Sequence, residues 1–272
     1  MNHRHAWDEH SAHGDHVRPS AWPTALALLV FTVVVYCSLF LDRDTATWLM
    51  TEEHPIEVAG ALGLLAGSIA CFLLWRRVKG DPAWPWLRRL SLLGFGLLLF
   101  FGAGEEESWG QRILGIKTPT SLANINDQGE TNLHNLSMFD GINSDTLFSV
   151  LCLVMGVIVP VVALWPAARR PLEKFLPILP VAFSALFVLN QAMMWGFHAL
   201  ITHYPGLYHS QYPAVYSLVE TKETVAEVLL GAGFLLILLQ YQHARRVTAA
   251  AVETNRAGTD WAAARTDAPH QV

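Results

Sequence analysis

The side chains best suited to chemistry in this sequence are carboxylates and imidazoles, and the densest group of carboxylates follows an apolar run. Glu105, Glu106 and Glu107 are consecutive in GAGEEESWGQRI, directly after LSLLGFGLLLFF. Histidine, carboxylate and a bound water are usual ligands of catalytic Zn²⁺. Zinc-bound water becomes hydroxide near neutral pH and, with a carboxylate as general base, would cleave an ester or amide of a lipid. These residue types predict a metal-dependent hydrolase or transferase, with a divalent metal such as Zn²⁺ as cofactor.

The predicted site residues form three sets according to their roles. The catalytic set of charged side chains is Glu105, Glu106, Arg112 and Glu227. The metal-ligating set is His134, His198 and Glu223. The substrate-binding set of amide and indole side chains is Trp109, Gln111, Asn132, Asn190 and Gln191. Because these residues come from separate segments, several helices and a loop must bring them together.

No established catalytic motif accompanies these residues. The chain has no H-E-x-x-H, no G-x-S-x-G and no P-loop. The membrane ceramidase-type pattern, with Ser, Asp and three His on successive helices, does not map cleanly onto it. Two other classes stay open: a proton- or ion-coupled transporter using intramembrane carboxylates, and a structural or assembly protein whose polar cluster locks helices together. Against transport, the inner halves of the predicted spans are almost free of polar residues, and no inverted repeat is evident.

Six apolar runs of about 20 residues recur, each long enough to cross a bilayer as a helix. They are 22–41, 56–77, 88–105, 144–166, 175–198 and 224–243. Charged residues make up only 15% of the 272 residues, where a soluble domain carries about 25%. The sequence therefore predicts an all-α polytopic membrane helix bundle with about six transmembrane helices. The first is expected to be a retained helix and not a signal peptide, and the three cysteines, all inside spans, imply no disulfide.

Lysine and arginine are concentrated on one side of the predicted spans, which carries 14 of the 18. By the positive-inside rule, both termini are then cytoplasmic, and we expect a bacterial inner-membrane protein. The predicted domains are a histidine-rich cytoplasmic tail at 1–20, a transmembrane domain at 21–245 and a loose polar cytoplasmic tail at 246–272. The lipid bilayer is the expected partner, together with a lipid or lipid-linked substrate. Location and the net charge of −5 exclude nucleic acid.

Helix geometry predicts that three polar residues reach one level. Glu105 lies 16 residues beyond Arg89, which is about 24 Å at about 1.5 Å per residue. Gln191 and Glu227 lie at similar distances from the basic ends of their own spans. We therefore expect a shared polar pocket just inside the outer boundary of the membrane.

The spacing i, i+3, i+7 places two sets of residues on shared helical faces. They are Glu105, Ser108 and Arg112, and Glu220, Glu223 and Glu227. Glu220 and Glu223 would suit the positive end of a helix dipole at the start of the sixth span. Glu227 lies deeper among apolar residues and should face the protein interior with a partner, for which Arg112 is the obvious cation. Separately, the G-x-x-x-G of Gly63 and Gly67 would let another helix approach closely.

The outer segment at about 106–143 mixes apolar positions with amides and hydroxyls, which predicts an interfacial or re-entrant lid. Within it, GEEESWGQRILGIKTP followed by INDQGETNLHNL resembles the signature of a family of uncharacterised bacterial multi-pass membrane proteins, GEExSWGQR…ETNLHN. The resemblance covers roughly residues 102–136 and implies a membrane location. Residue 107 is apolar in that family and Glu here, which makes Glu107 a weaker functional candidate than Glu105 and Glu106.

Overall fold

A computed structural model describes residues 21–50, 55–111, 114–126, 129–133, 136, 144–204 and 211–266. Five helices in these residues are long and apolar enough to cross a membrane: Trp22–Phe40, Pro55–Arg77, Trp86–Glu106, Val181–His203 and Ser217–Thr254. A shorter apolar helix covers Thr146–Val162. The prediction of an all-α polytopic helix bundle is confirmed, and the described residues add only an isolated β-bridge between Asn126 and Leu136.

The helices in chain order are α1 (Trp22–Cys37), α2 (Arg43–Met50), α3 (Pro55–Arg77), α4 (Trp86–Glu106), α5 (Thr120–Ala123), α6 (Ser144–Cys152), α7 (Val159–Val162), α8 (Pro166–Leu172), α9 (Val181–His203) and α10 (Gln211–Thr266). A 3₁₀ turn at Ser38–Phe40 extends α1, and a π-helical stretch at Leu153–Ile158 joins α6 to α7. Prolines define several helix starts, because the fixed φ of proline suits the first turn and its missing N–H is not needed there. Pro23 and Pro166, for example, lie in the first turns of α1 and α8.

The fourth predicted span departs most from a regular helix. Its middle is π-helical, and Pro160 follows within α7. Proline has no N–H to donate to the residue four positions earlier, which weakens the regular ladder at this point. Gly156 in the π-helical stretch lies directly against the ring of Phe187 on α9, where any Cβ would overlap the ring. The irregular segment is therefore held against α9.

The last helix is longer than predicted, at 56 residues. The prediction of a loose polar tail after 246 was wrong as far as Thr266, because this alanine-rich segment is helical and alanine is the best helix former. Glu220 and Glu223 consequently lie well past the first turn of α10, so the helix dipole does not account for them. Residues 21–236 form one compact unit, and residue 237 onward belongs to another. In the latter, side chains from His243 to Thr254 are exposed.

Helices α3 and α10 approach each other through glycines, as the G-x-x-x-G predicted. A Cβ on Gly67 would lie 2.7 Å from the Cα of Gly231, and one on Gly63 would lie 2.8 Å from the Cα of Val228. Such distances are shorter than any ordinary van der Waals contact, so backbone packs on backbone. We call this contact, made by Gly63, Gly67, Val228 and Gly231, the glycine seam.

Other helix pairs are joined by a mixture of polar and apolar contacts. Ser68 on α3 donates a hydrogen bond to the carbonyl oxygen of Gly96 on α4 at 2.7 Å. Helix α9 packs against the π-helical stretch and against α1. Fully buried apolar side chains such as Phe183, Leu229 and Phe234 fill the interior. This packing brings polar residues of α1, α3, α6, α9 and α10 toward one region of the unit.

Candidate functional site

Glu227 on α10 is a buried carboxylate among spanning helices, with an exposed fraction of 4%. Its carboxylate lies against the backbone of Gly60 on α3, where any Cβ would overlap Oε2. Only glycine leaves room for the acid at this position. A carboxylate away from water requires compensating groups, so the neighbours of Glu227 define the candidate site.

Four further carboxylates act electrostatically on Glu227. They belong to Glu57 on α3, Glu106 at the end of α4, and Glu220 and Glu223 on α10. All four are partly exposed, whereas Glu227 is buried. Of the predicted catalytic residues, Glu106 and Glu227 therefore lie within electrostatic range of each other, and so does the predicted metal ligand Glu223. We call Glu57, Glu106, Glu220, Glu223 and Glu227 the acidic cluster.

Lys222 brings a positive charge to the acidic cluster. Its Nζ lies 3.1 Å from Oε1 of Glu223 and donates to Oγ of Ser149 on α6 at 3.2 Å. The side chains of Lys222 and Glu223 are only 12% and 19% exposed, so this ion pair is shielded far better than a surface pair. Lys222 and Ser149 are not among the residues that the sequence predicted for the site.

A buried hydrogen-bond chain supports the backbone beside this lysine. The hydroxyl of Tyr36 on α1 donates to Oδ1 of Asn190 on α9 at 2.8 Å, and Nδ2 of Asn190 donates to the carbonyl oxygen of Lys222 at 2.8 Å. Tyr36 and Asn190 are 0% and 3% exposed. The predicted substrate-binding residue Asn190 thus joins three helices. Tyr36 was not among the predicted site residues, although it is the only tyrosine in the first apolar run and could have been recognised by that.

Glu105 makes its contacts with the outer loop. It accepts hydrogen bonds from Nε1 of Trp109 at 2.6 Å and from the backbone N–H of Leu133 at 2.5 Å. The predicted shared helical face of Glu105, Ser108 and Arg112 was wrong, because α4 ends at Glu106. Ser108 and Trp109 have φ values of +42° and +56°, which belong to the left-handed region that non-glycine residues rarely adopt. Arg112 itself lies outside the described residues.

A buried polar network orders the loop beyond this turn. Oγ of Ser108 donates to Oε2 of Glu130 at 2.5 Å, and Nδ2 of Asn132 donates to the same Oε2 at 3.2 Å. Nδ2 of Asn126 in turn donates to Oδ1 of Asn132 at 2.7 Å. The predicted substrate-binding residue Asn132 is 2% exposed and is used here as a structural hydrogen-bonding group.

A second set of contacts ties the two ends of the loop together. Oε1 of Gln111 accepts from the backbone N–H of Thr131 at 2.7 Å and from the hydroxyl of Thr118 at 2.9 Å. Trp109, 41% exposed, stacks edge-on with Phe100 and Phe101. Gln111 and Trp109, both predicted to bind substrate, therefore anchor the loop. We call the described residues of 107–136 the loop cap.

The predicted zinc set does not assemble in the part of the chain that the structure describes. No three His, Cys, Asp or Glu residues there are placed to hold one ion. His134 lies outside that part, His198 is exposed on α9, and Glu223 pairs with Lys222. Gln191, predicted to bind substrate, contacts Sδ of Met194 on its own helix at 3.8 Å.

Replacing Glu105 with alanine is expected to loosen the loop cap. The backbone N–H of Leu133 and the indole N–H of Trp109 would lose a charged acceptor, and such a bond contributes about 1.5–3 kcal/mol. Amide hydrogen exchange at Leu133 should accelerate by about 10- to 100-fold. The control, Trp109→Phe, removes one donor and keeps the bond to Leu133. Unchanged exchange at Leu133 in Glu105→Ala would show that Glu105 does not hold the loop.

Comparison with known protein families, with curated proteins and with solved structures found no match for this chain. The fold and the site define a class nevertheless. This is a membrane-helix protein with an acidic cluster around one buried carboxylate and an ordered polar loop. Function must be inferred from the chemistry of those residues.

Proposed function

We propose that this protein is a membrane-embedded hydrolase or transferase that acts on a lipid or lipid-linked substrate. The observation that carries the proposal is the buried carboxylate of Glu227 within electrostatic range of the partly exposed carboxylates of Glu106 and Glu223. Neighbouring carboxylates in a poorly solvated site divide the acid and base roles between them, since like charges at close range do not both ionise readily. That division is what acyl or phosphoryl group cleavage needs.

Access to the site favours a substrate that arrives from the membrane surface. Glu106 ends α4, and the loop cap begins at the next residue. Glu106 and Glu223 are partly exposed at that end of the bundle. The lysine and arginine distribution assigns this end to the outer face of a bacterial inner membrane, with both termini cytoplasmic. We propose this location together with membership of the family that has the GEExSWGQR signature.

The glycine seam argues for chemistry over transport. It closes α3 against α10 within one turn of Glu227, with Val228 and Gly231 packed on Gly63 and Gly67. Phe234, three residues after Gly231 on α10, is a buried apolar residue. A transported ion would need polar groups or water along its path, and this seam supplies neither.

Glu227→Gln is the substitution that tests the proposed function. The purified protein would be placed in vesicles formed from the total lipid extract of its host cells, and new lipid species would be followed by mass spectrometry. We expect turnover by the wild type and a loss of about 100-fold or more in Glu227→Gln, which is the contribution typical of a general acid or base. Glu173→Gln, in an exposed ion pair with Arg169, is the matched control and should keep full turnover.

Thermal stability of the same variants separates catalysis from a structural role. The proposal expects Glu227→Gln to remain folded, because glutamine fits the same space. A purely structural cluster predicts a large drop in melting temperature with no turnover in any variant, and that outcome would overturn the proposal. Gly60→Ala gives a second approach, since the added Cβ displaces the Glu227 carboxylate without removing it. Turnover should fall in this variant as well.

A further inference from the structure

We infer that Ser149 is the nucleophile of this site and that Lys222 is its base, which together would form a covalent acyl-enzyme intermediate. The inference deepens the proposed function and rests on it, because it names the group that attacks the lipid ester or amide. It starts from one contact, the 3.2 Å between Nζ of Lys222 and Oγ of Ser149. That distance is within the range in which a base takes a proton from a nucleophile.

The residue types match a known way of activating serine. A serine hydroxyl is a weak nucleophile until a neighbouring base removes its proton, and lysine serves as that base in the Ser–Lys variants of the catalytic triad. Lysine acts as a base when it is shielded from water, and the Lys222 side chain is 12% exposed. Ser149 is partly exposed on α6, so an acyl group can reach its Oγ.

Glu223 completes the arrangement because its carboxylate accepts a proton from Lys222. Its Oε1 lies 3.1 Å from Nζ. As Oγ of Ser149 releases its proton to Nζ, Nζ passes one of its own protons to Oε1 of Glu223 and regains it when the leaving group is protonated. Lys222 and Glu223 together therefore carry one proton away from Ser149 and return it.

The chemical step balances with these groups alone. Oγ of Ser149 forms a bond to the carbonyl carbon of the ester or amide while its proton moves to Nζ of Lys222. The tetrahedral intermediate collapses, the bond to the leaving group breaks, and the leaving group takes that proton from Lys222. The product is an acyl ester on Ser149. Water then hydrolyses this ester, or an acceptor alcohol takes the acyl group, with Lys222 again accepting and returning one proton.

The buried hydrogen-bond chain makes Tyr36 and Asn190 positioning residues for this dyad. Asn190 holds the carbonyl oxygen of Lys222 at 2.8 Å, and Tyr36 holds Asn190. Both act on the backbone of Lys222 and not on its amine. They would set the direction in which the Lys222 side chain extends from α10 toward α6, since a donor from a neighbouring helix fixes the backbone of this residue in place.

A fluorophosphonate probe tests the nucleophile directly, without knowledge of the substrate. The full-length protein in mild detergent would be treated with the probe, and the labelled residue identified by peptide mass spectrometry. We expect label on Ser149, none at that position in Ser149→Ala, and full labelling in Ser184→Ala, a buried serine on α9. Absence of label on Ser149 in folded wild-type protein would overturn the inference.

The Lys222→Arg variant tests whether Lys222 accepts a proton or only supplies a positive charge. Arginine keeps the positive charge beside Glu223 but stays protonated and accepts no proton. Labelling of Ser149 should fall by about 100-fold or more in this variant. Wild-type labelling in Lys222→Arg would reduce Lys222 to an electrostatic partner and reject it as the base.

The two proposals fail in distinguishable ways. Lipid turnover that depends on Glu227 and persists in Ser149→Ala leaves the proposed function standing and rejects the covalent intermediate. Label on Ser149 that depends on Lys222, without turnover of any lipid, supports the nucleophile and rejects the lipid substrate. Loss of both activities in folded protein rejects both.

Discussion

Gly231→Ala is expected to give the largest loss of stability of any single methyl group added to this protein. The new Cβ would overlap the carbonyl oxygen of Gly63, which is backbone and cannot rotate away. Helices α3 and α10 would have to separate along the glycine seam. We expect a cost of about 3 kcal/mol, the upper end for overpacking, measured as a fall in the unfolding midpoint in detergent.

Gly94→Ala is the matched control for this substitution. Gly94 also lies inside a spanning helix, and a Cβ built on it meets no other atom within 4 Å. Alanine is a better helix former than glycine by about 1 kcal/mol, so this control should be neutral or stabilising. Equal effects of the two substitutions would mean that the close approach of α3 and α10 does not exist in the protein.

Asn190→Leu is expected to produce the second largest effect. It removes the side-chain acceptor of the Tyr36 hydroxyl and the donor to the Lys222 carbonyl while keeping a similar volume, and it leaves the hydroxyl only the backbone carbonyl oxygen of residue 190, 3.0 Å away. Each buried hydrogen bond of this kind contributes about 0.5–1.5 kcal/mol, and Tyr36 is fully buried. The unfolding midpoint should fall, and labelling of Ser149 by the fluorophosphonate should fall with it.

A double-mutant cycle with Tyr36→Phe isolates the bond between the two side chains. Phenylalanine keeps the contact with Phe197, whose ring centroid lies 5.4 Å away. If the hydroxyl and the amide act as a pair, the losses from Tyr36→Phe and Asn190→Leu should be strongly non-additive. Gln191→Leu, next to Asn190 on the same helix, controls for loss of an amide. Additive losses of stability, or an equal loss in Gln191→Leu, would contradict the hydrogen-bond chain from Tyr36 through Asn190 to Lys222.

The sequence predicted the membrane architecture well because the length and apolarity of a span are local properties. Five of the predicted spans correspond to long apolar helices, and the fourth corresponds to a shorter one. The close approach at Gly63 and Gly67 was also predictable, because small residues four apart leave a groove that another helix can fill. These features depend on no distant residue.

The site was less predictable because it depends on where a helix stops. Ser108 and Trp109 adopt the left-handed backbone conformation although neither is glycine, and no local sequence pattern predicts such a conformation. Extending the helix through them put Glu105 beside Ser108 and Arg112, whereas in the structure Glu105 binds the loop and Glu106 acts on Glu227. Both glutamates were predicted to be catalytic, and the end of the helix at Glu106 gives them different neighbours.

The dyad was missed because its members are ordinary residues in sequence. Ser149 has no surrounding motif, and Lys222 lies 73 residues away on another helix. Lys222 is one of the few positive residues on the outer side, and that charge alone does not point to Ser149. Only the packing of α6 against the α10 side of the bundle makes the pair visible.

The bond between Leu133 and Glu105 has a topological consequence for the chain. Residues 28 apart are held together there, so the intervening backbone leaves α4 and returns to the end of the same helix. A protease nick at the exposed Lys117 would thus leave both new ends tethered, one by its own helix and the other by its bonds to Glu105, Ser108 and Gln111. We expect two separately expressed pieces, divided at this position, to reassemble through these bonds.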